Sequence, residues 1–96
     1  KHYQVAFATV EGAKLLAEPA QCHSNYWLQT IMLNADQAHQ RDAILQATNQ
    51  AGLMTRPVWR LMHQLTPFAL CPRMDLAAAE LLAQRLINIP SSPRLI

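Results

Sequence analysis

The 96-residue chain has only two glycines, two cysteines and two lysines. With two glycines, no glycine-rich phosphate loop of the GxGxxG or Walker type is present. Cys22 and Cys71 stand far apart and in no metal-ligand spacing. Two cysteines are also too few for a secreted disulfide scaffold of this length, which favours a reducing cytosol. The sequence alone does not decide whether Cys22 and Cys71 form a disulfide bond.

Long apolar runs and clusters of charge are missing as well. No run approaches the roughly 20 apolar residues of a membrane-spanning helix, and no signal peptide is visible, so we expect a cytoplasmic protein without a membrane partner. The eight Lys and Arg residues are dispersed and leave a net charge of +2, which argues against binding to nucleic acid. Because 51% of the residues are apolar, one small domain over residues 1–96 can form a modest core.

Complete catalytic and metal motifs are not found in the sequence. Cys22 and His23 are neighbours without a nearby carboxylate to orient them, so we expect an ordinary thiol rather than a nucleophile. The histidines lack the HxxxH or HExxH spacing of zinc sites. The carboxylates form no convincing pair, and Asp36 and Asp75 are most simply helix caps.

The hydrophobic pattern predicts an α+β fold in which three to four strands form a small antiparallel or mixed sheet against two to three helices. The predicted elements are a helix over 1–10, strands over 14–17 and 26–33, a helix from Asn34 or Asp36 to Ala51, an extended stretch over 54–60, irregular or partly helical chain over 61–72, a helix after Asp75 and a strand over 86–89. Strand 26–33 has two largely apolar faces and is expected to be central. Gly52 fits the position after a helix where a positive φ is needed.

The run from Thr55 to His63 places a guanidinium, an indole and an imidazole within nine residues. Arg56 can bind a carboxylate or phosphate through two hydrogen bonds. Trp59 offers a stacking face, and His63 can donate or accept a proton near neutral pH. The residues therefore indicate a ligand site without a catalytic group. In the alternative interpretation Trp59 is buried in the core while Arg56 and His63 are solvated.

Several segments together are similar to a known family in an order that covers nearly the whole chain. They are Asn25-Tyr26-Trp27-Leu28, Ala51-Gly52-Leu53-Met54-Thr55-Arg56-Pro57-Val58-Trp59, Leu61-Met62-His63, Ala79-Glu80 and Arg85-Leu86-Ile87-Asn88-Ile89-Pro90-Ser91-Ser92. This set resembles the C-terminal end of DegT-type sugar aminotransferases, and most closely the branch that makes amino sugars for nonulosonic acids such as legionaminic acid.

The resemblance implies the small C-terminal domain of a type I pyridoxal-phosphate aminotransferase. Such enzymes move an amino group from glutamate to a 4-keto sugar carried on a nucleotide, usually UDP. The lysine that holds the cofactor belongs to a large domain with no counterpart here, and Lys1 and Lys14 lie in no matching motif. We therefore expect neither cofactor binding nor transamination by this chain alone, which is either the C-terminal domain of such an enzyme or a separately encoded remnant of one. Because the chain opens on Lys1 and not on Met, the first alternative predicts a further domain upstream.

The resemblance also gives roles to single residues. Arg56 and His63 would contact the nucleotide sugar or the carboxylate of the amino donor, and Trp59 would shape the wall. Trp27 is expected in the core, and Asn88 at the end of a structural strand. The expected partners are a nucleotide sugar and the large domain. The alternative function is a free-standing interaction module, self-associating into a homodimer and without enzymatic activity.

Overall fold

A computed structural model describes residues 1–92, which form one four-stranded antiparallel sheet with three α-helices. The strands are β1 (Ala13–Leu15), β2 (Gln29–Leu33), β3 (Arg56–Pro57) and β4 (Leu86–Ile89), and the helices are α1 (His2–Phe7), α2 (Arg41–Gln50) and α3 (Ala77–Ala83). Short 3-10 helices cover Ala35–Gln40, Met62–Gln64 and Thr66–Phe68. The α+β prediction is confirmed, while residues 93–96 of the predicted domain lie outside the described residues.

The sheet order β1-β2-β4-β3 places β2 in the interior, as its two apolar faces predict. Ile31 pairs with Ile87 across β2 and β4, so alternate residues of both strands point to the same face. That face carries the hydrophobic side chains that the described chain buries: Ile31, Leu33, Ile87 and Ile89. Side chains of α1 and α2 pack against them, among them Phe7 and Ile44. The core is therefore a single thin layer between one sheet face and two helices.

The central strand begins three residues later than the sequence predicts. The Ser24 Oγ accepts a hydrogen bond from the Tyr26 amide at 3.0 Å, and the Asn25 Oδ1 accepts one from the Trp27 amide at 3.0 Å. Such local side-chain bonds compete with the strand ladder. They turn the chain, and Tyr26 takes a positive φ of 49°. Trp27 consequently lies outside the core with 66% of its surface exposed, so the prediction of a core position for it is wrong.

The ends of the helices agree only partly with the predicted caps. Asn34 precedes the 3-10 helix that leads into α2, but its side chain makes no capping hydrogen bond, and Asp36 lies within that turn. Gly52 follows α2 with a φ of 84°, as predicted. At the start of α3 the N-cap is Leu76 and not the predicted Asp75, although the Asp75 Oδ1 accepts a hydrogen bond from the Ala77 amide at 3.1 Å.

Candidate functional site

Arg56 is the first residue of the edge strand β3, and hydrogen bonds to neighbouring residues hold its exposed side chain. Its Nη1 donates to the Asn49 Oδ1 at 2.7 Å and to the Thr55 carbonyl oxygen at 2.8 Å. Pro57 follows it and restricts its backbone to an extended conformation. The guanidinium therefore has two fixed acceptors although it lies at the surface.

Behind Arg56 a polar network connects α2 to the extended chain. The Asn49 Nδ2 donates to the Leu45 carbonyl oxygen at 2.7 Å and to both the Thr55 carbonyl oxygen and Oγ1 at 3.0 Å. The Oγ1 atoms of Thr48 and Thr55 are 2.5 Å apart. Neither Asn49 nor Thr48 was predicted as a site residue, because an Asn and a Thr in the last turn of a helix carry no motif. Thr48 and Thr55 are seven residues apart, as are Asn49 and Arg56. Because a turn at Gly52 reverses the chain between them, this spacing could have predicted that the two pairs are in contact.

Arg56 and Trp59 line the same groove, and Trp27 lines it with them. We call this the tryptophan groove; it has a volume of about 790 Å³, and its wall includes Met54 and the end of β4 near Asn88. Trp59 is 77% exposed, so the alternative in which it anchors the core is wrong. The groove combines two indole faces with one guanidinium, a set that suits a ligand with a flat ring and an anionic group.

His63 lies apart from this groove, in the 3-10 helix Met62–Gln64. Its side chain is only 13% exposed, and its Nε2 is 2.9 Å from the Oε1 of Glu80 in α3. It lines a separate pocket of about 420 Å³ together with Cys71 and Arg73. The structure thus separates His63 from Arg56 and Trp59. Glu80 was not predicted as its partner, because the two residues are 17 positions apart in the sequence and the 3-10 helix Thr66–Phe68 lies between them.

The described residues do not fit pyridoxal phosphate. That cofactor takes a lysine as its Schiff base and needs donors for its phosphate. Lys14 is exposed on the edge strand β1, and Lys1 precedes α1. Both line a shallow groove whose wall carries the Glu18 carboxylate, which repels a phosphate. The groove that contains Arg56 has no lysine.

Other chemical groups of the described residues form no second centre. Cys22 and Cys71 are exposed free thiols. Within residues 1–92, no three His, Cys, Asp or Glu side chains come together in a way that could hold a metal ion. The helices of the same part of the chain are all too short or too polar to cross a membrane.

Comparison with solved structures shows the same fold in three aminotransferases. PseC of Helicobacter pylori, involved in pseudoaminic acid biosynthesis, superimposes with a TM-score of 0.79 and 18% identity. The aminotransferase TlmJ of Streptoalloteichus hindustanus gives 0.76 and 22%, and the sugar aminotransferase CalS13 of Micromonospora echinospora gives 0.74 and 20%.

The chain spans only part of these proteins. The three alignments cover 92–93% of this chain but 22–24% of the aminotransferase chains. No curated protein sequence matches the chain. The model of the DegT/DnrJ/EryC1/StrS aminotransferase family, in contrast, matches residues 1–96. The chain therefore belongs to the DegT/DnrJ/EryC1/StrS aminotransferase family.

Proposed function

We propose that this chain is the small C-terminal domain of a pyridoxal-phosphate-dependent aminotransferase that acts on the 4-keto sugar of a nucleotide sugar. In this proposal a large domain supplies the lysine and the phosphate donors for the cofactor, and the chain does not transaminate without it. The family match over the whole chain and the fold shared with sugar aminotransferases support this assignment. The proposed compartment is the cytoplasm.

The amount of surface that the chain leaves accessible is the observation that carries the proposal. The accessible surface is 7981 Å², whereas a folded monomer of this mass exposes about 5,500 Å². The radius of gyration is 15.1 Å, against about 13 Å for a compact domain of 100 residues. The chain is therefore less self-contained than an independent domain of its size, as expected if another domain covers part of it.

The exposed apolar side chains indicate where such a domain would lie. Leu70 is fully exposed and Met74 is 88% exposed, and both belong to the irregular chain between β3 and α3. Trp27 and Trp59 are also exposed, and they lie at the tryptophan groove. Large exposed apolar surface is seldom left open in monomeric proteins. We propose that the large domain covers it and closes the groove around the nucleotide sugar.

Within the groove, Arg56 is the proposed ligand for a phosphate of the nucleotide or the carboxylate of the amino donor, since Arg56 lines the groove and Asn49 holds its guanidinium. Trp59 and Trp27 form the proposed wall. His63 keeps a proposed role at the edge of the active site, with Glu80 fixing its ring. Nδ1, the other ring nitrogen, makes no hydrogen bond within residues 1–92 and is proposed to contact a substrate group.

An absorption titration with pyridoxal phosphate tests the claim that the chain alone does not hold the cofactor. We expect the spectrum of free pyridoxal phosphate, with no stoichiometric lysine aldimine band in the visible range, because Lys14 is exposed and the groove that it lines carries the Glu18 carboxylate. A Lys14→Arg variant, which has no Schiff base lysine in the sheet, serves as the control and should give the same spectrum. A stoichiometric band that borohydride fixes onto Lys14 would contradict the proposal.

The exposed apolar residues also favour a second function, that of an interaction module that associates with itself. Light scattering across a concentration series separates the two. A homodimer with well-defined mass would favour the second function. A chain that stays monomeric at high concentration would not use its exposed apolar surface for self-association, and this result would favour the aminotransferase domain.

A further inference from the structure

We propose that Asn49 is a positioning residue that orients the guanidinium of Arg56, so that its Nε–Nη2 edge binds the two oxygens of a phosphate or carboxylate group in the tryptophan groove. The proposal deepens the proposed function and rests on it for the identity of the ligand. The orientation itself depends only on contacts within this chain.

The guanidinium of Arg56 is hydrogen-bonded within the chain at one nitrogen, Nη1, while the edge formed by Nε and Nη2 is available to a ligand. Nη1 has two N–H bonds, and both have acceptors: the Asn49 Oδ1 at 2.7 Å and the Thr55 carbonyl oxygen at 2.8 Å. Among residues 1–92 no acceptor bonds to Nε or Nη2. The N–H bonds of these two atoms are parallel along one edge, and their spacing matches two oxygens of a carboxylate or phosphate. The open edge is thus the one suited to paired hydrogen bonding.

The amide group of Asn49 is itself oriented by its surroundings. Three acceptors lie around Nδ2, namely the Leu45 carbonyl oxygen, the Thr55 carbonyl oxygen and the Thr55 Oγ1, at 2.7 to 3.0 Å. Exchanging Nδ2 and Oδ1 would place two acceptors against each other at both carbonyl contacts and two donors against each other at the Arg56 Nη1. Oδ1 must therefore face Arg56, and the rigid last turn of α2 fixes its place.

Holding the arginine in advance should strengthen binding. An unrestrained surface arginine loses rotamer freedom when it binds a ligand, and a preoriented one has already lost it. Asn49 acts only through Arg56, because its own polar atoms are all used within the chain. Its contribution must therefore disappear when Arg56 is removed.

Nuclear magnetic resonance of the arginine side chains tests the orientation without any ligand. Two hydrogen bonds at Nη1 hinder rotation about the Nε–Cζ bond, so we expect separate Nη1 and Nη2 resonances for Arg56 in the unmodified chain. Asn49→Ala should merge them. Asn49→Asp, which keeps an acceptor for Nη1, should leave them separate, and it serves as the second variant if Asn49→Ala does not fold. Merged resonances in the unmodified chain, or separate ones in a folded Asn49→Ala variant, would overturn the positioning role whatever becomes of the proposed function.

Titrations with uridine diphosphate, inorganic phosphate and acetate test the binding edge and distinguish phosphate from carboxylate. They are followed at the Arg56 Nε–H resonance where Arg56 is present, and at the Trp59 indole N–H resonance of the same groove in every variant. We expect at least one of these probes to bind about tenfold more weakly to Asn49→Ala, and Asn49→Ala to have no further effect once Arg56→Ala is present. Arg60→Ala, at a nearby exposed arginine, is the matched control and should bind as the unmodified chain does.

No response to any of the three probes would overturn the assignment of the open edge. If Asn49→Ala lowered the affinity for a probe equally in the presence and in the absence of Arg56, the claim that Asn49 acts through Arg56 would be overturned. A response to acetate but not to either phosphate probe would support the inference and count against the nucleotide-sugar function, so the two can fail separately.

Discussion

Thr55 is the polar side chain that the described residues bury, with 4% of its surface exposed. A buried hydroxyl destabilises a fold unless it is hydrogen-bonded. The Oγ1 of Thr55 contacts the Thr48 Oγ1 at 2.5 Å and accepts a bond from the Asn49 Nδ2 at 3.0 Å. The residue that precedes Arg56 is thus anchored to α2 on its buried side, while Arg56 is exposed.

Replacing Thr55 with valine should lower the free energy of unfolding. Valine has the same shape but cannot bond to Thr48 or Asn49, and the net value of the lost hydrogen bonds is about 1 to 2 kcal/mol. Urea unfolding measures the change. Thr9→Val, at an exposed position, is the matched control and should stay within about 0.5 kcal/mol. Equal stability of the Thr55→Val variant and the unmodified chain would contradict the structural role of this hydroxyl.

At the scale of elements, the turn after α2 sets the geometry of the site. Gly52 has a φ of 84°, and a Cβ built on it would meet no atom within 4 Å. Any cost of a side chain at this position therefore comes from the backbone conformation and not from a steric clash. The turn brings Thr55 and Arg56 back against the last turn of α2, where Asn49 lies.

Gly52→Ala should destabilise the chain by about 1 kcal/mol, the cost of a left-handed conformation for a residue with a Cβ. Gly52→Asn should cost less, because asparagine adopts this conformation more readily. Thermal unfolding of the two variants gives the comparison. If alanine were no worse than asparagine, backbone strain would not be the cause of the glycine requirement.

The elements that the sequence predicts well are those set by local chemistry. The strand over 86–89 and the positive φ of Gly52 agree with the structure, since hydrophobic alternation and the steric freedom of glycine act over a few residues. The site was predicted only in part. Arg56 and Trp59 line one groove, as predicted, whereas His63 lies in a different pocket. The sequence spacing could not predict this separation, because the position of His63 depends on two 3-10 helices and on the distant Glu80. Trp27 was misassigned because side-chain bonds in the preceding turn end the strand.

At the scale of the whole molecule, the core is small for the length of the chain. Within residues 1–92, four hydrophobic side chains are buried, all on one face of the sheet, and Ile87 alone among these four has no exposed surface. Large apolar side chains such as Leu70 and Met74 lie open instead. A domain that shares its apolar surface with a larger neighbour has these properties. The family match and the alignment with about a quarter of three aminotransferases agree with such an arrangement.

The reading frame upstream of Lys1 tests the central claim most directly. If the chain is the small domain of a sugar aminotransferase, sequencing the gene should show an open frame that continues upstream and encodes the remaining three quarters or so of a relative's length. That part should contain a large domain with the cofactor lysine. A start codon directly before Lys1, with no large domain encoded ahead of it, would contradict the account.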